Sequence, residues 1–334
     1  MKKTIVNINP KSAVPKYRQV VDAIISAIEG KILVVGDKLP SISQLCENNT
    51  VKRDTVMYAL NELKAKGIIT SHQGKGYYIA STDVMINDRY FLLFDELNTY
   101  SCEIYNKLMS LLPAHSSADI FFHHNDPCRV KELLEQRNGT YTAYILSCSG
   151  LESYTHLISK LPVQHTCLIG KTGKENNNSH SVFHEDNKDI YEALRTLRKA
   201  LKKYCRLVYF RQNNNISVNR AEGFKRFCTE EKIDYLICNN PESLRPALYE
   251  AYFVPDDAIL VKLVRQIQKS GLVVGENIGI VSFNDSKAKE IIEGGLTVIS
   301  PDYAEICRHL VEITKGSKKG QFRARMNVIK RNSL

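Results

Sequence analysis

The chain has 334 residues, 43% hydrophobic and 25% charged, with a formal net charge of +10. That length is too great for one ordinary core, and the composition excludes a disordered or collagen-like chain. No apolar run approaches the ~20 residues that span a bilayer, and MKKTIVNINP lacks the apolar segment of a secretory signal; the cytoplasm is the expected compartment. The nine cysteines are scattered without a CxxC pair, which argues against a zinc ribbon or redox motif.

The charge is unevenly placed. Residues 1–80 carry a net +6, residues 81–314 a net −3 and residues 315–334 a net +7. A basic first segment on a mildly acidic body predicts contact with a polyanion. The basic tail is expected to be solvated charge.

In chain order, Tyr17, Val20, Val21, Ile24, Ile25 and Ile28 recur at helical spacing, and Gly30 ends that helix. The turn GDKLP follows, and Ser41 caps a short helix running to Glu47. A third helix is expected from about Lys52 to Lys66, with Val56, Ala59, Leu60 and Leu63 inward and Gly67 as its stop. A strand from Ile68, the turn HQGKG and the strand YYI close the unit as a hairpin. Residues 80–89 are polar, without period, and read as a linker. From Tyr90 onward the apolar runs YFLLF, DIFF, AYILS, TCLIG, RLVYF, YLIC and IGIVSF alternate with helical stretches such as DIYEALRTLRKALKKY. Continuously apolar strands alternating with helices predict parallel sheets covered on both faces. The Asn runs at 176–178 and 213–215 read as loops.

The segment from Pro15 to Ile79 resembles the GntR-family DNA-binding domain. The match is carried by Pro15, Tyr17, Gly30, Gly36, Asp37, Leu39, Pro40, Ser41, Leu45, Arg53, Asp54, Thr55, Gly67, Gly74 and Gly76. The resemblance implies a winged helix-turn-helix over residues 1–79 that binds double-stranded operator DNA. A recognition helix enters the major groove N-terminus first, so Lys52, Arg53 and Thr55 in its first turn meet phosphate or base edges. Ser41, Tyr58, and His72, Gln73, Gly74 and Lys75 of the wing complete the expected DNA surface; Asp54 and Asn61 share the outward face with Tyr58. At the position two residues after Ser41 the family usually has Arg; here it is Ser43, which predicts an altered operator preference.

The stretch GENIGIVSFNDSKAKEIIEGGLTVISPDYAEICRHLVEITKG, together with Arg220-Ala-Glu-Gly223-Phe224, resembles the LacI/GalR effector domain. The implied fold class is α/β: a winged helix-turn-helix followed by a two-lobed periplasmic-binding-protein-like domain over 90–334. Lobe 1 is expected at about 90–200 and 302–316, and lobe 2 at about 201–299 and 321–330. A sugar needs carboxylates, amides and a fixed Arg fork, and the resemblance places these at Asp95, Asp186, Arg220, Asp256 and Asn284, with Asn284 in place of the usual Asp. The expected effector is a monosaccharide or sugar phosphate bound between the lobes, and the expected assembly is a homodimer.

No cofactor, metal or catalytic residue is expected. His123-His124 and His184-Glu185-Asp186 lack metal-ligand spacing, and no GxSxG elbow or P-loop is present. The function so predicted is a repressor of a sugar-utilisation operon, with activation left open. The alternative is a GntR-like head on a pyridoxal-phosphate enzyme, whose Schiff-base lysine context is not found here.

Overall fold

The computed structural model describes residues 5–10, 15–83, 88–138, 140–147, 154–170, 180–212, 215–240 and 245–334. The chain divides into two compact units. The first comprises Met1–Glu96, Leu108–Ser181 and Leu310–Gly320; the second comprises Leu97–Lys107, Val182–His309 and Gln321–Leu334.

The first unit begins with three helices and a hairpin: α1 (Lys16–Glu29), α2 (Ile42–Asn49), α3 (Arg53–Ala65), β1 (Ile69–His72) and β2 (Gly76–Ile79). The 3.6-residue period of α1 buries Val20, Val21, Ile24, Ala27 and Ile28 against Val56, Ala59, Leu60 and Leu63 of α3. Glu62 staples the two helices, accepting from Arg18 at 3.0 Å and Lys66 at 2.6 Å. Gly67 takes φ +71° at the end of α3, a conformation an L side chain resists. The antiparallel pairing of β1 with β2 forms the wing.

Beyond the head, β3 (Arg89–Phe94), α4 (Thr99–Leu111), β4 (Ser117–Phe122), α5 (Pro127–Arg137), β5 (Ala143–Ser147), α6 (Thr155–Ile158), β6 (Thr166–Gly170) and β7 (His180–Phe183) follow in order. Strand β3 runs parallel to β4 and β5, and β5 parallel to β6. Every residue of β5 is buried, the signature of a strand covered on both faces. Of the expected linker, residues 84–87 lie outside the described residues, as do 148–153 and 171–179 with the first Asn run.

The second unit is built on α7 (Asp186–Leu201), β8 (Arg206–Phe210), α8 (Asn215–Glu231), β9 (Asp234–Cys238), β10 (Glu250–Val254), α9 (Asp257–Ser270), β11 (Gly279–Phe283), β12 (Thr297–Pro301), α10 (Tyr303–Thr314), β13 (Gln321–Arg323) and β14 (Met326–Ile329). Its sheet has the order β14-β12-β11-β10-β8-β9, and the other six-stranded sheet the order β13-β7-β6-β5-β3-β4. Only β14 among the registered strands of the second sheet is antiparallel, to β12. Helices α7 and α8 cover one face through Ile190, Leu194, Leu197, Phe224 and Phe227, and α9 covers the other through Leu260, Leu263 and Ile267.

Three expectations need correction. The lobe boundary expected near residue 200 lies at 181/182, because the apolar stripe of α7 packs on α8 and β8 of the second unit. Residues 302–316 do not fall wholly in the first unit: the division cuts α10 after His309, as it cuts α4 after Lys107. The basic tail is also not simply solvated. Arg331 grips Asp285 with two 2.8 Å bonds, Arg323 pairs with Asp189 and Glu185, and Lys318 pairs with Glu312.

Candidate nucleic-acid interface and effector site

The exposed end of α3 is the first candidate. Lys52 is its N-cap, and Lys52, Arg53 and Asp54 are exposed while Thr55 is half-buried. Two cations therefore stand where free N–H groups and the helix dipole already favour an anion. Ser41 is the N-cap of α2 in a reciprocal box: its hydroxyl accepts from Gln44 N at 3.2 Å, and Gln44 Oε1 accepts from Ser41 N at 2.9 Å. That hydroxyl keeps a proton to donate outward.

In the wing, Gln73, Gly74 and Lys75 form the exposed tip, closed by Lys75 N donating to His72 O at 3.0 Å. Gly74 has φ +71° and Gly76 φ +103°, so the tight tip needs both glycines. The His72 ring meets Tyr78 edge-on at 5.3 Å. Lys38, exposed and 5.9 Å from the centroid of the same Tyr78 ring, adds a cation beside the wing. Sequence reading passed over Lys38 because its turn lies between α1 and α2, far from the wing in sequence, whereas the bridge of Lys38 to Tyr78 brings it to the hairpin.

Tyr58 does not belong to this surface. Its ring packs edge-on against Tyr17 at 4.6 Å and stacks with His165 at 6.2 Å. Burial pushes its hydroxyl pKa well above the ordinary range. The helical period that turned it away from the core of the head turned it toward the body of the first unit. Asn61 shares that position: with Tyr58, Tyr141, Lys160 and His165 it lines a cavity of about 350 Å³.

The second candidate lies in the second unit. Asp186, the first residue of α7, accepts from Arg220 Nε of α8 at 3.0 Å. Both side chains are about 15% exposed, and the Arg220 guanidinium lies 5.4 Å over the Phe283 ring at the end of β11. The next residue, Asn284, sits in the left-handed region at φ +59°, which Asn tolerates better than most side chains. Gly223, one turn after Arg220, lets α8 approach α7 so closely that a Cβ there would stand 2.1 Å from Asn187 O. Asp186, Arg220 and the 283–284 turn are thus brought together.

Asp256 is used differently: it caps α9, accepting from Ile259 N at 3.0 Å, and accepts from Gln212 Nε2 at 3.3 Å. Asp95, just past β3, belongs to the first unit and is half-buried. Beside the Asp186–Arg220 pair, His184 Nδ1 stands 3.2 Å from Ala324 O, which assigns it the proton. Burial, aided by Arg220, lowers the His184 pKa. Lys289, which sequence reading missed, is 2% exposed and bonds the carbonyls of Phe283 and Asn284. Among the described residues, no group of three or more His, Cys, Asp and Glu is placed to hold a metal ion, and no helix is long and apolar enough to cross a membrane.

Comparison with known proteins agrees with this division. Residues 16–79 match the model of the gntR family of bacterial regulatory proteins, and residues 197–328 match the periplasmic binding protein-like domain. The HTH-type transcriptional repressor YtrA of Bacillus subtilis is 34% identical over 76 residues, which are 23% of this chain and 58% of that protein. The match thus spans under two thirds of the relative's length. A LacI family transcriptional regulator from Lactobacillus casei with bound glucose aligns with a TM-score of 0.61 at 15% identity, covering 74% of this chain and all of that one. A LacI family regulator from Enterococcus faecium with bound ribose aligns at 0.60 and 16%, covering 74% of this chain and 98% of that one. At these identities the likeness shows the fold: a GntR-type winged helix-turn-helix joined to a LacI-like α/β body. The relatives and neighbours named here are regulators of transcription, not enzymes.

Proposed function

We propose that this chain is a sugar-responsive transcription regulator, acting in the cytoplasm as a homodimeric repressor of a carbohydrate-utilisation operon. The head binds operator DNA through Lys52, Arg53 and Thr55 of α3, Ser41 of α2, and His72, Gln73, Gly74 and Lys75 of the wing. The body binds a monosaccharide or sugar phosphate through Asp186, Arg220 and Asn284, with Asp95 and Asp256 as further candidates. The observation that carries this reading is the Asp186–Arg220 pair against Phe283, the residue before the Asn284 turn, on a chain whose head exposes Lys52 and Arg53 at a helix start. A carboxylate, a guanidinium fork and an amide offer both donors and acceptors, which sugar hydroxyls require. A ligand controls DNA binding only through a difference in its affinity for two states, so sugar and operator must weaken each other equally.

Calorimetric titration of D-ribose, D-glucose and their phosphates into the protein, with and without operator DNA, tests the proposal. A reciprocal change of about 5–150-fold is expected; equal sugar affinities in the two titrations refute control by sugar. Two-fold operators need two heads at fixed spacing, so sedimentation at micromolar concentration should show a dimer, and a tightly binding monomer refutes that part.

A further inference from the structure

We infer that Lys289 is the positioning residue of the effector site: its buried ammonium fixes the Asn284 turn in the conformation that binds sugar. The inference rests on the effector reading above.

The ammonium makes three short contacts. Nζ donates to Phe283 O at 2.6 Å and to Asn284 O at 2.8 Å, and it stands 2.7 Å from Asp257 Oδ1. Asp257 Oδ2 in turn accepts from Thr99 Oγ1 at 2.7 Å. A lysine ammonium has three protons and no acceptor, so these partners saturate it. Burying such a charge is unfavourable unless every proton is bonded, and an apolar side chain would fill the same space without that demand. The ammonium is thus a specific device directed at the two carbonyls where β11 ends.

The rest of the turn is held from the opposite side. Asn284 N donates to Ile299 O and Asp285 N to Ser300 Oγ, both at 3.0 Å, while Arg331 holds the Asp285 carboxylate. Strand β12 therefore takes the N–H groups and Lys289 takes the carbonyls, and residue 284 is kept at φ +59° between them. Released by Lys289, its backbone returns toward the broadly allowed regions that most residues prefer. The turn that carries the Asn284 side chain past Phe283, whose ring lies against Arg220, then loses its shape, and with it the geometry that binding depends on.

The test is a double-mutant cycle of Lys289→Met with Asn284→Ala, read by sugar affinity in calorimetry and by thermal unfolding, with D-ribose, D-glucose and their phosphates as probes. Lys289→Met is expected to weaken the sugar bound by wild type at least tenfold. In the Asn284→Ala background the same change should alter affinity less than twofold, while its effect on the unfolding temperature is the same in both backgrounds. Lys289→Gln, which keeps a donor without the charge, should recover part of the affinity. A purely structural lysine would instead weaken sugar binding equally in both backgrounds, which overturns the inference. Failure of Lys289→Met to weaken binding, where Asn284→Ala does weaken it, overturns the inference and leaves the effector reading standing. A wild type that binds none of the probes, or an Asn284→Ala variant that binds like wild type, overturns this assignment together with its placing of the effector.

Discussion

Replacing Gly223 with Ala should disable sugar control while leaving the head able to bind DNA. An added Cβ would stand 2.1 Å from Asn187 O and 3.0 Å from its carbon, where ordinary contact begins at 3.4 Å. Those are backbone atoms, so no rotamer change relieves the clash, and α8 must move from α7 by roughly 1 Å in an interior packed like a crystal. Overpacking of this kind costs about 1–3 kcal/mol. For a domain of this size each kcal/mol lowers the midpoint by about 2–4 °C, so the transition of the second unit should fall by about 2–12 °C. The functional effect follows from position. Arg220 lies one turn before Gly223, and Asp186 immediately precedes Asn187, so parting the helices stretches the 3.0 Å Asp186–Arg220 bond. Calorimetric sugar titration and operator binding by the same preparation separate the two effects: sugar affinity drops at least tenfold, operator affinity holds. A variant with an unchanged melting profile and unchanged sugar affinity would show that the close approach of α7 and α8 does not set the site.

Arg53→Ala should cost about 1–3 kcal/mol of operator binding without altering sugar affinity; unchanged binding at physiological salt would remove α3 from the interface. Ser41→Ala breaks the capping box of α2 and should destabilise the head by about 0.5–2 kcal/mol, seen as a lower melting temperature of residues 1–83 or of the head's own transition. The imidazoles of His123 and His184 have pKa values lowered by burial, whereas the unfolded chain protonates them near pH 6.5. Stability is therefore full above that value and declines as pH falls from about 6.5 through the folded values. Melting followed from pH 7.5 to 5.5 should show this decline, and His184→Gln should flatten it; a pH-independent wild type contradicts the burial argument.

Much of the fold was legible because local and tertiary signals agree. The apolar face of α1, the stop at Gly67 and the continuously apolar strands each carry one reading. Strand β10 was not legible: it opens with Glu250, a charged residue buried to 3% because Arg206 and the Tyr252 hydroxyl satisfy it. The boundary at 181/182 escaped because the period of α7 shows that it has an apolar face, but not which sheet it covers. Tyr58 was misplaced for a related reason: sequence separates the core face of a helix from its outer face, but not solvent from a neighbouring domain. Lys287 and Lys289 are alike in sequence, and only the fold shows that one is exposed and the other buried.

The interleaving of the two units bears on the order in which they form during synthesis. Among the described residues, the core of the head draws only on residues within the first 80. The first unit, by contrast, waits for residues 310–320. The second waits for Ser333, whose hydroxyl donates to Ile280 O and accepts from Thr297 N. At ~5–20 residues per second the ribosome needs roughly ten to fifty seconds to travel from the end of the head to those segments. For that interval the nascent chain carries a finished DNA-binding module and two sheets that still lack their last strands, β13 and β14. On the function proposed above, each chain thus completes its DNA-binding head well before its effector domain.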